Sequence, residues 1–303
     1  MPVQTVEELL TLNCFSKYAE RSLLALKKFS IESRNLIESE FSFKAVVDFN
    51  EKHKICFERG SLIIGHELLN DEKFLLEPIL LAENELDARV FSLVTDSFLT
   101  SRKLLNKAFK VSVDPQGGGG SDTIKKFERY RSEKRPFMCV LDSDKKHPKG
   151  RLGETAKHFK DLKLGLNENY YLEILDCHEI ENIVPTKVLQ EIFPAVDLGV
   201  MYASENIEKY KPYPDHKNGL TVASARSLDE THQDDFWKEF YGLTDDTIIC
   251  NALKDILPKF KKYLDSNTPH KAKEKICELK DSSLHQISKI ITDFGVGLRR
   301  TIP

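Results

Sequence analysis

Carboxylate side chains follow short apolar segments of the sequence, and their types and spacing suit the binding of a divalent metal ion. The segment PILLAE ends in Glu83, and Asp87 follows four residues later. The segment PFMCVL is followed at once by Asp142 and Asp144. Side chains two positions apart in an extended chain point to the same side, so both aspartates can reach one point.

A third apolar segment, YYLEIL, leads into the stretch DCHEIEN, which contains Glu179 and Glu181. If the three segments are parallel strands, their carboxyl ends lie along one edge of a sheet, where ligands of α/β proteins bind. Carboxylates crowded there repel one another, and a hard divalent cation relieves that repulsion. Mg²⁺ takes oxygen ligands, and paired metal ions activate water and stabilise the leaving oxygen in phosphodiester cleavage. These residues therefore predict a magnesium site with phosphodiesterase chemistry.

Basic residues are concentrated just after the second pair of carboxylates. The chain has 303 residues and a net charge of −3, so the whole chain is not basic and nucleic-acid binding would depend on a local segment. A solvated helix face is the alternative explanation of the same residues. The basic residues nearest the aspartates are Lys145, Lys146, Lys149 and Arg151.

The elements that position these residues are predicted from hydrophobic periodicity. Between residues 78 and 185, short apolar runs alternate with amphipathic ones, which is typical of parallel βαβ units with helices on both faces of the sheet. The flanking sequence is mainly helical in pattern, including 234–243 and 270–295, with a loop at 210–219. Strands are predicted over 78–83, 109–114, 136–144 and 170–176, and helices over 85–105, 123–133 and 151–162.

Composition and cysteine usage exclude several classes of protein. The chain is 40% apolar and 31% charged, as in soluble globular proteins. Its six cysteines are scattered without a CxxC pair, which argues against a zinc site or a disulfide framework and fits a reducing cytosol. No apolar run approaches the roughly 20 residues of a membrane span, and we see no signal peptide. We expect a cytoplasmic protein without membrane contact.

Taken together, the acidic motifs resemble those of the TOPRIM domain. The first motif of that family is an apolar strand that ends in Glu, a small residue, two variable residues and Asp, and here it is ENELD from Glu83 to Asp87. The second motif is DxD, here DSD from Asp142 to Asp144, and the segment VSVDPQGGGGSD fits the strand and glycine turn between them. The usual glycine is replaced by Asn84, which we expect to take the left-handed turn conformation at modest cost.

The segment EIEN, with Glu179 and Glu181, is similar to the one that follows the TOPRIM strands in OLD-type nucleases and in small TOPRIM proteins of anti-phage systems. The resemblance spans about residues 78–190 and implies cleavage of DNA or RNA with Mg²⁺ or Mn²⁺. It also implies an ABC- or SMC-like ATPase partner. Because the chain contains no GxxxxGK[ST] motif, that ATPase would be a separate protein. A role in anti-phage defence, or as a toxin-like effector, follows by analogy alone.

The resemblance also implies a role for each matching residue. Glu83 would be a metal ligand or general base, and Asp142 and Asp144 would act with it in catalysis. One of Lys145, Lys146 and Lys149 would stabilise the transition-state charge, and we assign this role to Lys146. The implied nucleic-acid contacts are Lys145, Lys149 and Arg151. The implied metal ligands are Glu83, Asp87, Asp142, Asp144, Glu179 and Glu181.

We therefore predict an α/β, TOPRIM-like (Rossmann-like) fold in which helices flank a mostly parallel sheet. The predicted regions are a mainly helical one at 1–76, the TOPRIM-like catalytic domain at 77–190 and a helical one at 191–303. The two flanking regions are expected to provide the partner surface and the interface of a homodimer.

Two alternative functions remain open. A HAD-like phosphatase also uses a DxD motif, with Asp142 as its nucleophile, but its motif follows the first strand and commonly carries Thr or Val where this chain has Lys146. A degenerate scaffold that binds an ATPase would explain Asn84. Such a scaffold, however, has no need to keep mutually repelling carboxylates.

Four further features have structural explanations that we prefer. The run Gly117–Gly120 is expected to be a strand-to-helix turn, although its amides suit a phosphate. His147 could act as a base, but we expect it at the surface. His178 could touch a metal, but we expect it in a structural hydrogen bond. Trp237 is expected in an apolar core or a partner patch.

Overall fold

The fold is described here from a computed structural model, over residues 3–74, 76–101, 109–267 and 282–298. The predicted helical residues 102–105 and 270–281, and Cys277, lie outside this part of the chain. The helices are α1 (Val3–Thr11), α2 (Lys17–Glu40), α3 (Glu85–Ser101), α4 (Thr123–Ser132), α5 (Glu154–Lys157), α6 (Thr186–Ile192), α7 (Ile207–Tyr210), α8 (Val222–His232), α9 (Ile256–Ser266) and α10 (Ser282–Gly295). The strands are β1 (Lys44–Asp48), β2 (Ile55–Glu58), β3 (Ser61–Gly65), β4 (Ile79–Ala82), β5 (Phe109–Val111), β6 (Asp114–Gly117), β7 (Phe137–Leu141), β8 (Gly165–Leu166), β9 (Tyr170–Ile174), β10 (Leu220–Thr221), β11 (Ile248–Cys250) and β12 (Val296–Leu298).

The central sheet has five strands in the order β6-β4-β7-β9-β8. Strands β4, β6, β7 and β9 run parallel, and the short β8 pairs antiparallel with β9. Along the chain, β6 is added on one side of β4 and β7 on the other, so the strand order reverses between β4 and β7. Open α/β sheets bind ligands in the crevice at the carboxyl ends of such a pair. The predicted α/β class with a mostly parallel sheet is confirmed.

Alternation of side chains along β4 and β7 divides the interior into two apolar layers. Leu80 and Met138 belong to one core, while Ile79 and Phe137 belong to the other. Successive side chains of a strand face opposite sides of its sheet, and both sides here are covered. The first core includes side chains of α3, α6, α9 and α10, and the second includes side chains of α4. Continuous apolar runs such as FMCVL are therefore buried along their whole length.

The apolar core of the sheet contains residues from beyond position 190. Val94 of α3, Val188 of α6 and Phe260 of α9 belong to the same cluster, and Ile287 of α10 joins them. The predicted region boundaries stay predictions, but the helices after residue 190 help to cover the sheet. Among the helices of the described ranges, none combines the length and the apolar character that crossing a bilayer requires.

Three sequence-based element predictions are corrected. The single strand predicted over 109–114 is two strands, since β5 pairs antiparallel with β12 while β6 joins the central sheet through β4. Strand β6 contains Pro115, which is tolerated because this strand lies at the sheet edge. The helix predicted over 151–162 is only the single turn α5, after which Phe159 enters the second core. The segment 234–243 has only a 3-10 turn, Lys238–Phe240, next to the buried Trp237.

The N-terminal region is helical at first, as predicted, and then forms a small sheet. Residues 44–65 form β1, β2 and β3, in the order β1-β3-β2. Of the described residues before position 60, Val6 is the one that is fully buried.

Candidate metal centre

The predicted acidic residues lie at the carboxyl edge of the central sheet. Glu83 follows β4 directly, and Asp142 and Asp144 follow β7. Glu179 and Glu181 follow β9, in the segment that crosses the same edge. Asp87 lies in the first turn of α3. The acids are therefore collected around the reversal of strand order between β4 and β7, where the fold places a ligand crevice.

The carboxylates of the β4 and β7 ends influence one another strongly. The pKa of Glu83 is raised, first by burial and then by the negative charge of Asp144. The pKa of Asp142 is raised well above its ordinary value, again first by burial and then by the charge of Asp87. Burial and the charge of Glu179 raise the pKa of Asp144, although His178 and two lysines oppose this. A cation in the crevice would relieve all three carboxyl groups at once.

Glu181 and Asp87 form the deeper part of the acidic cluster. Burial, followed by the charge of Glu179, raises the pKa of Glu181 to about 7. Asp87 is 7% exposed and its pKa is raised by burial, although the Asn84 backbone N–H donates to its Oδ2 at 3.1 Å. In the metal-free chain, part of this cluster is thus protonated near neutral pH.

Backbone hydrogen bonds to the segment after β9 fix the turn that carries Asp142 and Asp144. Ser143 donates from both N–H and Oγ to the Cys177 carbonyl, at 3.2 and 2.6 Å. The Asp144 N–H donates to the His178 carbonyl at 2.9 Å. Asp144 has a φ of 57°, in the left-handed region that residues other than glycine seldom adopt. Such strained residues persist where their surroundings hold them, and they cluster at functional sites.

Gly153 leaves space for the carboxylate of Asp144. A Cβ atom added at Gly153 would lie 2.0 Å from Asp144 Oδ2, far inside van der Waals contact. The Gly153 N–H also donates to the Ser143 carbonyl at 2.9 Å. Glycine is therefore required at this position to let the chain pass the aspartate.

The glycine run after β6 forms the turn beside Glu83. The N–H groups of Gly118 and Gly119 donate to the carbonyls of Ala82 and Glu83, at 2.7 and 3.0 Å, so these two amides hold the end of β4. Gly119 and Gly120 both have positive φ. This geometry supports the preferred explanation, a strand-to-helix turn.

Asn84 does not adopt the left-handed conformation that we expected for it, since it is not among the residues with positive φ. The glycine that permits close approach at this turn is Gly117, where an added Cβ would lie 2.6 Å from the Glu85 nitrogen. Replacement of the usual glycine by Asn84 is therefore compatible with the turn.

A loop outside the predicted catalytic region also reaches the acidic edge. Lys217 Nζ lies 2.6 Å from Glu179 Oε1 and 3.9 Å from Glu181 Oε1. Asn182 holds this loop in place, because its Nδ2 donates to the carbonyls of Lys211 and Pro214 at 2.9 and 2.8 Å. Sequence analysis identified 210–219 only as a loop, so Lys217 was missed.

Asp215 and His178 meet Glu179 at the same place. One ligand-type atom from each of these three residues lies within 4.8 Å of the others. We expected the His178 side chain to make a structural hydrogen bond, and this prediction is wrong for the described residues. Its Nδ1 is buried without a partner there, and its Nε2 lies 3.9 Å from Asp215 Oδ2, too far for a hydrogen bond. The pKa of Asp215 is lowered despite its burial, because Lys146 and Asn218 donate to it.

The lysines that sequence analysis assigned to phosphate contacts are paired with acids in the structure. Lys146 Nζ lies 2.8 Å from Asp215 Oδ2, which places this lysine next to Glu179 and His178. Of the other basic residues, Lys145 pairs with Asp176 at 3.3 Å, Lys149 pairs with Asp234 at 3.2 Å, and Arg151 is exposed.

The surface position expected for His147 is wrong, because the side chain is fully buried. Its Nε2 lies 3.0 Å from Asp229 Oδ1, and burial lowers its pKa, so the ring is neutral at pH 7. Asp229 also accepts from the Trp237 N–H and the Tyr241 hydroxyl, at 2.8 and 2.6 Å. This network ties the loop after Asp144 to α8, and Trp237 lies in an apolar core as expected.

The donor set fits a hard divalent cation. The predicted ligands at the sheet edge are carboxylates that lie close enough to shift one another's pKa. Among the described residues, the one group of three whose ligand atoms all lie within 4.8 Å of one another is His178, Glu179 and Asp215, so Glu83, Asp142 and Asp144 are not held at that spacing. Glu179 Oε2 is buried without a hydrogen-bond partner in the described residues. Buried polar atoms of this kind are uncommon unless a ligand satisfies them. The chain matches no family model, no curated protein and no solved structure. A function for this chain is therefore inferred from the geometry and the chemistry of the site.

Proposed function

We propose that this chain is a metal-dependent nuclease of TOPRIM type, which hydrolyses phosphodiester bonds of DNA or RNA. One observation carries the proposal: carboxylates that follow β4, β7 and β9 lie close enough to raise one another's pKa at the reversal of strand order, and Lys217 contacts Glu179 of this group. A structural role alone gives no reason to bury acids that raise one another's pKa.

Glu83, Asp142 and Asp144 would hold a Mg²⁺ or Mn²⁺ ion, with Asp87 supporting them, and Glu179 and Glu181 would contribute to a second ion. When bound, such ions polarise the phosphate and lower the pKa of a water. Glu83 is suited to accept the proton of the attacking water, because a raised pKa brings its proton affinity closer to neutrality.

Positive side chains at the site would stabilise the charge that develops on the phosphate. Lys217 and Lys146 each contact an acid of the site and carry three N–H donors, so either can transfer a hydrogen bond to a phosphate oxygen. Hydrogen bonds to the reacting phosphate stabilise the transition state most when the donors are already in position before the reaction. We therefore propose that Lys217 shares with Lys146 the role of stabilising the transition-state charge.

Nucleic-acid binding would depend on the loop after β7. Lys145, Lys149 and Arg151 lie on this loop, and the first two are available to phosphate when their ion pairs open. Exposed ion pairs are weak, so a polyanion competes with them at little cost. By resemblance, we also propose a separate ATPase partner, a defence or toxin-like role, a homodimer and a cytoplasmic location. The free cysteines of the described chain support a reducing compartment.

Cleavage of a nucleic-acid panel tests the proposal. Supercoiled plasmid, single-stranded DNA and bulk tRNA would be incubated with the protein and Mg²⁺ or Mn²⁺. We expect cleavage of at least one substrate, lost with a chelator and lost in Glu83→Gln. The matched control is Glu85→Gln, since Glu85 is exposed on the same turn and pairs with Arg89.

The same panel separates the enzyme from a scaffold. Absence of cleavage and of metal binding in the wild-type protein would overturn the nuclease proposal and favour a scaffold that binds an ATPase. Phosphate trapped covalently on Asp142 would instead favour a HAD-like phosphatase.

A further inference from the structure

We propose that His178 and Asp215 join Glu179 as ligands of the second metal ion, and that this site binds a transition-metal ion such as Mn²⁺ in preference to Mg²⁺. The site deepens the proposed function, since Glu179 also borders the carboxylate cluster, but metal binding tests it without reference to cleavage. The third acidic stretch, DCHEIEN, contains His178, but Asp215 lies outside all the acidic motifs. The site becomes visible only when the segment after β9 and the loop 210–219 are brought together.

The geometry brings three ligand-type atoms close together. One atom each from His178, Glu179 and Asp215 lies within 4.8 Å of the other two, a separation that a single ion can bridge. Two of these residues, His178 and Asp215, are held by independent backbone contacts. The His178 N–H donates to the Pro212 carbonyl at 2.7 Å, and the Asp215 carbonyl accepts from Gly219 at 2.7 Å.

Two of the three residues have buried ligand atoms without partners. His178 is 5% exposed, and its Nδ1 has no hydrogen bond in the described chain, while its Nε2 is too far from Asp215 Oδ2 to form one. Glu179 Oε2 is likewise buried and unpaired. A buried polar group that is left without a partner destabilises the folded chain. Ligation of a metal ion would satisfy the imidazole and the carboxylate together.

Lysine side chains supply the positive charge of this site in the metal-free chain. Lys146 Nζ lies 2.8 Å from Asp215 Oδ2, and Lys217 Nζ lies 2.6 Å from Glu179 Oε1. A divalent ion would replace those contacts and release both amines toward the crevice, where a phosphate would bind. Occupation of the site would therefore free the two lysines that the proposed function uses.

The ligand types determine which ion is preferred. Mg²⁺ takes oxygen ligands almost exclusively, whereas imidazole nitrogen suits transition-metal ions, and carboxylates also suit Mn²⁺. A site of one imidazole and two carboxylates thus favours Mn²⁺ over Mg²⁺. The neighbouring cluster of Glu83, Asp142 and Asp144 offers oxygen alone and carries no such preference.

Electron paramagnetic resonance of bound Mn²⁺ tests the inference. Electron spin-echo modulation of the wild-type protein should show coupling to ¹⁴N of an imidazole. In His178→Ala the coupling should be lost and Mn²⁺ affinity should fall about tenfold or more, an effect comparable to losing a supporting residue of a metal site. His158→Ala, which removes an exposed histidine, is the matched control and should behave as wild type.

Absence of nitrogen coupling in the wild-type spectrum, or its persistence in His178→Ala, would overturn the inference. The wild-type spectrum decides the first point even if His178→Ala does not fold, and Asp215→Asn gives a second variant with the histidine intact and weaker Mn²⁺ binding expected. Glu83→Gln should keep the nitrogen coupling. Loss of cleavage in Glu83→Gln would bear on the nuclease proposal alone. A failure of the nuclease proposal and a failure of the His178 metal site can therefore be told apart.

Discussion

Lys217 Nζ lies 2.6 Å from Glu179 Oε1, and this contact joins a loop beyond residue 210 to the carboxyl edge of the parallel sheet. Lys217 also lowers the pKa of Asp87, Asp144 and Glu181 through its charge. One amine thus offsets part of the repulsion within the acidic cluster. It also brings a mobile, three-donor cation to the place where the account locates a phosphate.

Replacing Lys217 by Met should reduce nucleic-acid cleavage by about 10²-fold or more, because positioned charge at a reacting phosphate contributes on that scale. The free energy of unfolding should also fall, because the Glu179 side chain is only 16% exposed and would lose its positive partner. Cleavage rates at saturating metal and urea unfolding measure the two effects. Lys238→Met removes a more exposed ion pair, with Asp235 at 2.9 Å, and serves as control. Unchanged cleavage in Lys217→Met would exclude a role in the reaction.

Stability of the metal-free protein should depend on the protonation of Glu181. The folded chain raises the pKa of Glu181 from 4.5 to about 7, so the folded state binds this proton more tightly than the unfolded state. The resulting stabilisation is present below pH 4.5 and is lost as the pH rises through about 7. Its size is on the order of 3 kcal/mol.

Thermal unfolding in chelator over this pH range checks the sign. Glu181→Gln cannot lose a proton, so its melting temperature relative to wild type should rise with pH. A constant or falling difference would show that Glu181 is not held in its protonated form. The raised pKa values of Glu83, Asp87, Asp142 and Asp144 act in the same direction in both proteins.

Divalent metal should reverse this loss of stability. At pH 7.5, Mg²⁺ at about 100 times its dissociation constant should stabilise the protein by about 2.7 kcal/mol, and chelation should remove the effect. Asp142→Asn should abolish most of it, because this carboxylate is one of the proposed Mg²⁺ ligands. Asp161→Asn, an exposed substitution between α5 and β8, should respond to Mg²⁺ as wild type does. Equal stabilisation of both variants would show that Mg²⁺ binds elsewhere.

Gly153→Ala should impair cleavage without unfolding the protein. The new methyl group would lie 2.0 Å from Asp144 Oδ2 and would displace that carboxylate. Gly153 has ordinary φ and ψ values, so alanine adds no backbone strain. Metal affinity by calorimetry and far-ultraviolet circular dichroism report the two outcomes. Gly242→Ala, where an added Cβ meets nothing within 4 Å, is the control, and equal metal affinity in both variants would contradict the prediction.

The central sheet and the acids at its edge were predictable because their signals lie in short continuous segments of the sequence. The strands β4 and β7 are apolar runs buried along their whole length, and the first three residues of β9 are buried as well. Such runs are recognisable without knowledge of their neighbours. Glu83 and Asp142 follow two of these strands directly, so their position at the sheet edge depends only on parallel pairing. The expectation that these strands are parallel neighbours is confirmed.

Residues contributed by distant loops were not predictable. Lys217 and Asp215 reach the site because Asn182 binds two carbonyls some 30 residues later, and no periodicity signals such a contact. The short helix α5 and the irregular 234–243 segment were missed because burial of Phe159 and Trp237 outweighs helical pattern. The one sequence feature that could have pointed to this loop is YPDHKNG, in which Asp215 lies two residues before Lys217.

Cleavage by wild type and Asp142→Asn, compared in one assay with Mg²⁺, Mn²⁺ and chelator, tests the central claim most directly. The substrate is whichever member of the nucleic-acid panel the wild type cleaves best, and circular dichroism establishes that both proteins are folded. The account predicts metal-dependent cleavage by the wild type and a loss of about 10³-fold in Asp142→Asn. Cleavage by Asp142→Asn at the wild-type rate, or cleavage that persists in chelator, would contradict it.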